Sequence, residues 1–118
     1  IIAYDNRVKE RLLQIDPQLL QEHGAVSGAV AAAMAMGVKH QLGTDWGVSI
    51  TGIAGPGGGT PEKPIGTVYI GIADPQNQVS HYHCQFGDRR GRALTRYLSA
   101  CQGLDLLRRQ LLNQETSV

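Results

Sequence analysis

Between two extended-looking runs, residues 46–50 and 67–72, the chain reads Thr51-Gly52-Ile53-Ala54-Gly55-Pro56-Gly57-Gly58-Gly59-Thr60-Pro61-Glu62-Lys63-Pro64-Ile65-Gly66. Six glycines and three prolines in this stretch exceed what a strand reversal needs. Glycine reaches φ > 0 and lets backbone N–H groups approach a ligand with no Cβ between them. Successive N–H groups in such a turn form an anion-binding concavity. A loop of this length inside a compact domain is either functional or a disordered connection. Known phosphate loops do not fit it. Gly59 is followed by Thr60-Pro61 rather than by Lys-Ser/Thr, and Thr60 stands where a G-x-G-x-x-G pattern would put its third glycine. Pro61 and Pro64 also push the residues before them toward extended geometry, so no helix opens there.

The elements around the loop alternate. Residues 1–4 read as a buried strand, and Asp5 or Asn6 then caps a short helix to about Gln14. Asp16-Pro17 reopens a helical turn carrying Leu19 and Leu20. Ser27 caps a long helix over 28–42 that Gly43 ends. Its alanines, glycines and methionines permit close backbone approach, which predicts burial against a sheet, with Met34 and Met36 in the core. Strands follow at 46–51, 67–73 and 79–86, the last two joined by Asp74-Pro75-Gln76-Asn77 as an antiparallel hairpin. A final helix over 89–112 carries Leu94, Tyr97, Leu98, Cys101, Leu104, Leu107 and Leu111 as one apolar stripe, and 113–118 read as a frayed tail. The expectation is a layered α/β/α domain with a mixed sheet, spanning 1–118 as one unit.

Composition excludes several classes. A net charge of +1 and 5% aromatic residues give neither a basic patch nor a stacking platform for nucleic acid. Cys84 and Cys101 are too few for a disulfide scaffold and suit a reducing, cytoplasmic setting. The longest apolar region, 29–38, falls short of the ~20 residues of a membrane span, and no signal-peptide pattern is present. His81 and His83 share one strand face while Cys84 points to the other, too few ligands for zinc.

Four ordered segments carry a resemblance: Tyr4-Asp5-Asn6-Arg7-Val8-Lys9, His23-Gly24-Ala25-Val26-Ser27, the loop continued through Lys63-Pro64-Ile65-Gly66-Thr67-Val68-Tyr69, and Phe86-Gly87-Asp88-Arg89. Together they resemble the C-terminal domain of the competence-damage-inducible protein CinA, a family that includes stand-alone nicotinamide mononucleotide deamidases. The resemblance runs from Ile1 to about Leu112. In that family an upstream Glu-Ser-x-Thr-Gly-Gly segment supplies a nucleophilic serine. Nothing like it occurs between Ile1 and Val118, so the chain reads as a fragment truncated at its N-terminus and inactive by itself.

Lys9 is the sharpest candidate for chemistry. It follows a strand end, where sites in open α/β sheets lie, and a position in the first turn of a helix disfavours its charge and lowers its pKa. By its own residues alone it better suits a solvated surface lysine. The resemblance implies that Lys9, in the Tyr-x-Asn-x-x-Lys motif, is the base that activates the serine, with Asp5 where the family commonly has serine. Tyr4 would orient the substrate amide or stack on its ring, and Thr51 would make a polar contact to substrate. Ser27 caps its helix and could also favour an anion there. The family often has Ser-Glu at this point, whereas this chain has Ser27-Gly28. Arg89 could fork a phosphate, with Arg90 and Arg92 as more solvated alternatives. One pocket is expected, in which Thr51, Gly52, Gly55, Gly57, Gly58 and Arg89 hold ribose and phosphate.

The resemblance thus implies hydrolysis of the carboxamide of nicotinamide mononucleotide by serine/lysine acyl transfer, with no metal or redox cofactor and with a homodimer as the assembly. Two other readings stay open: a serine/lysine amidase for some other nucleotide amide, and a non-catalytic module that binds a nucleotide through the glycine loop.

Overall fold

The computed structural model describes residues 1–116, with side chains to Asn113. Three helices come first: α1 (Asn6–Arg11), α2 (Pro17–His23) and α3 (Gly28–Leu42). Three strands follow, β1 (Gly47–Gly52), β2 (Thr67–Ala73) and β3 (Val79–Gln85), and then α4 (Gly91–Thr116). Each early helix begins where its sequence provides a cap. Asp5 accepts from the Arg7 N–H, Asp16 from the Gln18 N–H and Ser27 Oγ from the Val30 N–H, satisfying donors that the first turn leaves open. Gly43, at φ 63°, closes α3 in the left-handed conformation.

The strands lie in the order β1-β2-β3. Both pairs are antiparallel, with Ile50 opposite Ile70 and Ile70 opposite Tyr82. The short β2–β3 turn allows no other pairing, and β1 also runs antiparallel to β2, so among the described residues the sheet is antiparallel and not mixed. The three α/β/α layers are as expected. Ser49 and Gly71 turn toward α3, where Ser49 Oγ donates to the Ala31 carbonyl. Val48, Val68, Ile70 and Ile72 turn toward α4 and pack with Leu106. Ile70 and Ile72 are fully buried, each contributing on the order of 2 kcal/mol of transfer free energy.

α3 sits close to the sheet because both partners are small. A Cβ on Gly71 would collide with the Ala31 carbonyl oxygen, and one on Gly47 with that of Ala35. Met34 lies in the core cluster with Leu13, Ile15, Leu20 and Val30, and Met36 is half-buried. The β2–β3 turn is closed by Asp74 Oδ1, which accepts from the Gln76 and Gln78 N–H groups, and by Asn77 at φ 62°. Buried Lys39 spans from α3 to this turn, donating to Asp74 O and Asn77 Oδ1.

Two expected elements differ. Residues 1–4 join no strand of the sheet; Ile2 is 91% and Tyr4 90% exposed. The apolar character of the segment is real, but β1 pairs only with β2, and Ala3 spends its carbonyl on Lys9 rather than on a ladder. Most of the apolar stripe of α4 faces outward: Leu94, Tyr97, Cys101, Leu104 and Leu111 are exposed, while Leu98 and Leu107 are half-buried and Leu107 packs on the sheet. The face that packs carries Thr95, Ser99, Gly103 and Leu106. Gly103 lets the helix backbone descend onto Ile50 and Val48 of β1, and short side chains achieve that approach where leucines could not.

Candidate active site

Beside β1 lies a cleft of about 680 Å³ that residues 1–4 help to line. Its polar wall is Tyr4, Asn6, Lys9, Thr51, Arg92 and Arg96, and its apolar floor includes Leu13, Met34 and Val48. Lys9 reaches the cleft because α1 is short. A helix of six residues places it in the last turn, not the first, so the helix dipole does not explain its behaviour. Burial does. Lys9 is only 5% exposed, and that burial pushes its ammonium pKa below the ordinary lysine value, partly opposed by the Asp5 carboxylate, which favours the charge. Its Nζ donates to the Ala3 carbonyl at 2.5 Å. Asp5 itself is held down to about 2, mainly by the Arg7 guanidinium bonded to it.

Thr51, at 8% exposure, donates its hydroxyl proton to the Ala25 carbonyl at 2.7 Å. With the proton committed, only lone pairs remain for a ligand, so Thr51 offers an acceptor to an amide N–H or a sugar hydroxyl. Gly52 follows it in the same wall. Tyr4 lines the cleft with its ring largely exposed.

The rest of the expected site lies elsewhere. Gly55, Gly57 and Gly58 do not line this cleft, and Arg89 is exposed and lines neither it nor a second cleft of about 540 Å³. That second cleft involves Gly59, Thr60, Pro64, Gln85, Gly87 and Asp88. The single pocket expected from the sequence is therefore divided. The division starts where the ladder ends: Ile53 N–H donates to Thr67 O and Gly66 N–H to Ile53 O, which pinches the loop at its base. Gly66 takes φ 94°, and any side chain there would strike the Gly87 backbone. Lys63 Nζ donates to His23 O and Arg92 Nη1 to Gly55 O, fixing the loop to α2 and α4. Ser27 is buried as the α3 cap, with its Oγ donating to Gly24 O and receiving from Val30 N–H, and it lies outside the cleft wall. His83 stacks on Tyr69 with ring centroids 4.7 Å apart, and His81 packs beside Gly28.

Sequence reasoning assigned no site role to Asn6 or Arg96 and set Arg92 aside as a more solvated alternative to Arg89. Asn6 was legible as the middle residue of Tyr-x-Asn-x-x-Lys. Arg92 and Arg96 carry a weaker signal, their i, i+4 spacing on a helix, which puts both on one face.

The CinA C-terminal domain model matches residues 1–111 of the chain. The chain belongs to the CinA C-terminal domain family. A CinA-like protein from Synechocystis sp. is 68% identical over 111 residues, covering 94% of the chain and 27% of that relative. One from Gloeothece citriformis is 62% identical over 112 residues, covering 95% of the chain and again 27% of the relative. The chain thus spans about a quarter of the length of these curated relatives. Among solved structures, the competence/damage inducible protein CihA from Agrobacterium tumefaciens superposes with a TM-score of 0.85 at 35% identity, covering 89% of the chain and 63% of that protein. A competence-damaged protein (CinA) superfamily protein from Escherichia coli gives 0.81 at 29%, covering 88% and 59%. No described helix is long and apolar enough to cross a membrane.

Proposed function

We propose that the Lys9 cleft binds a nicotinamide nucleotide and supplies the base for hydrolysis of its carboxamide, in a protein whose Glu-Ser-x-Thr-Gly-Gly segment brings a serine to the cleft. Neutral Lys9 Nζ takes the serine proton as the oxygen attacks the amide carbon. The resulting ammonium returns a proton to the amide nitrogen, and ammonia leaves. Water, deprotonated by Lys9, then cleaves the ester to the carboxylate and restores the serine, giving nicotinic acid mononucleotide. Thr51 accepts a hydrogen bond from the substrate, and Tyr4 and Asn6 flank it at the mouth.

The observation that carries this reading is a lysine 5% exposed at a cleft wall, within Tyr-x-Asn-x-x-Lys, whose burial favours the neutral amine a base must be. Ammonia release from nicotinamide mononucleotide is the test. The 118-residue chain should release none, and the chain extended by the serine segment should turn over. Turnover by the unextended chain, or none by a folded extended protein on any nicotinamide derivative, contradicts the proposal and leaves a nucleotide-binding module.

A further inference from the structure

We infer that two copies of this chain associate through the outer face of α4, laid antiparallel about a two-fold axis level with Gln102 and Gly103. The pairing is independent of the chemistry proposed above.

Leu94, Tyr97, Cys101, Leu104, Arg108 and Leu111 follow one another at steps of 3, 4, 3, 4 and 3 residues. That is the a/d alternation of a narrow helix-to-helix seam, not the wider face a helix turns to a sheet. At about 100° per residue the row lies roughly opposite Thr95, Ser99, Gly103 and Leu106, which are buried against the rest of the fold. Every member of the row is exposed, Tyr97 by 65% and Leu104 by 68%, so no described element covers it. A contiguous apolar surface of this kind marks an interaction site. It sits on the outermost side of the helix, where the same side of a second copy can approach it.

The order of the residues identifies the occupant. Antiparallel pairing of an a/d row with itself sets each a position against a d position. Leu94 then meets the partner's Leu111, Cys101 meets the partner's Leu104, and Tyr97 meets the partner's Arg108, each contact occurring twice. Leucine packs on leucine at both ends, and the small Cys101 side chain leaves room for a leucine at the centre. The planar guanidinium of Arg108 matches the face of a tyrosine ring, the cation–π arrangement that arginine favours. Arg108 is the one charged member of the row, and its own chain already neutralises it, with Nη2 2.8 Å from Asp105 Oδ1. The antiparallel seam therefore buries no uncompensated charge. Parallel pairing would set Arg108 against Arg108 and lose the contact with Tyr97. The row covers 18 residues, about 27 Å, and two such helices bury on the order of 1,000 Å² in total, at the lower edge of a specific interface. A reversible dimer in the micromolar range follows, not a permanent one.

Sedimentation equilibrium of the 118-residue chain, under reducing conditions and over a wide concentration series, tests the pairing. Wild type should show a monomer–dimer equilibrium in the micromolar range. Cys101→Glu and Leu104→Lys each place an unpaired charge in both central layers, and each should weaken the dimer about 100-fold. Mixed in equal amounts, the two variants form one Glu–Lys layer and one unchanged layer, so association should return to within about 10-fold of wild type. In a parallel pair, position 101 faces 101 and 104 faces 104, and mixing restores nothing. Leu42→Lys, at a leucine 59% exposed at the end of α3, should leave association within about two-fold. Every variant is checked for an unchanged melting transition. A wild-type chain that stays monomeric throughout would overturn the α4 pairing. So would a dimer that neither folded central variant weakens, a mixture no better associated than its parts, or an equal loss from Leu42→Lys.

Discussion

Lys9 Nζ donates to the Ala3 carbonyl oxygen at 2.5 Å, so the backbone of the N-terminal segment aims the amine that burial makes easier to deprotonate. A neutral amine keeps this bond with one of its hydrogens and directs its lone pair away from Ala3. The pairing therefore fixes where the amine points, while Ala3, as a carbonyl acceptor, bonds the ammonium more strongly than the neutral amine.

The charge nearest in effect to this amine is Asp5, which favours the ammonium and so opposes burial. Asp5→Asn removes the charge and keeps a side chain able to cap α1. The Lys9 pKa should fall further, seen as a shift to lower pH in an NMR titration of its side chain. An unchanged or raised value would show that Asp5 does not act on Lys9. The stability consequence has a definite sign. A lowered folded-state pKa means that the unfolded chain holds the Lys9 proton to higher pH, so folding stability rises with pH between the folded-state value and the ordinary lysine value. Relative to Lys9→Met, wild type should gain stability across that window in urea denaturation, and a flat difference would contradict the burial argument.

Thr95 is 1% exposed and its Oγ1 has no hydrogen-bond partner among the described residues. A buried hydroxyl without a partner loses its solvation and gains nothing in return. Thr95→Val, which replaces the hydroxyl by a methyl, should stabilise the fold by about 1 kcal/mol in urea denaturation. A loss of similar size would mean that the hydroxyl has a partner in solution.

Gly71 and Gly57 should respond oppositely to alanine. A Cβ at Gly71 meets the Ala31 backbone where α3 rests on β2, whereas one at Gly57 meets nothing within 4 Å. Gly71→Ala should cost about 2–3 kcal/mol, in the range of overpacked cores, and Gly57→Ala less than about 0.5 kcal/mol, as at an open surface. Comparable losses at the two sites would show that α3 does not sit as close to the sheet as described.

These contrasts explain what was legible in the sequence. Local signals are read correctly where the neighbouring residues decide the outcome: Ser27 and Gly43 bound α3, and Asp74 to Asn77 make the β2–β3 turn. The stripe on α4 misleads because periodicity reports which residues are apolar, while the packed face is chosen by how closely Gly103 lets the helix approach β1. The same limit applies to the site. Lys9, Tyr4, Thr51 and Gly52 are visible through their motifs and do meet in one cleft. Arg89 is adjacent in motif but not in space, and it is the helix turn beyond it that carries Arg92 and Arg96 into the wall. The glycines of the loop suggested a ligand cradle, yet Gly66 answers to a backbone crossing at Gly87.

The central claim, that Lys9 is the base of an amide hydrolysis, is tested most directly by single-turnover ammonia release from nicotinamide mononucleotide. The comparison is the serine-extended protein as wild type, Lys9→Ala and Lys9→Arg. Lys9→Ala should lower the chemical rate by about 10²-fold or more while nucleotide affinity changes little, because the base acts in the transition state rather than in binding. Lys9→Arg should be no faster, since a guanidinium does not give up its proton. A rate within a few fold of wild type in either folded variant would return Lys9 to a buried structural lysine and contradict the account.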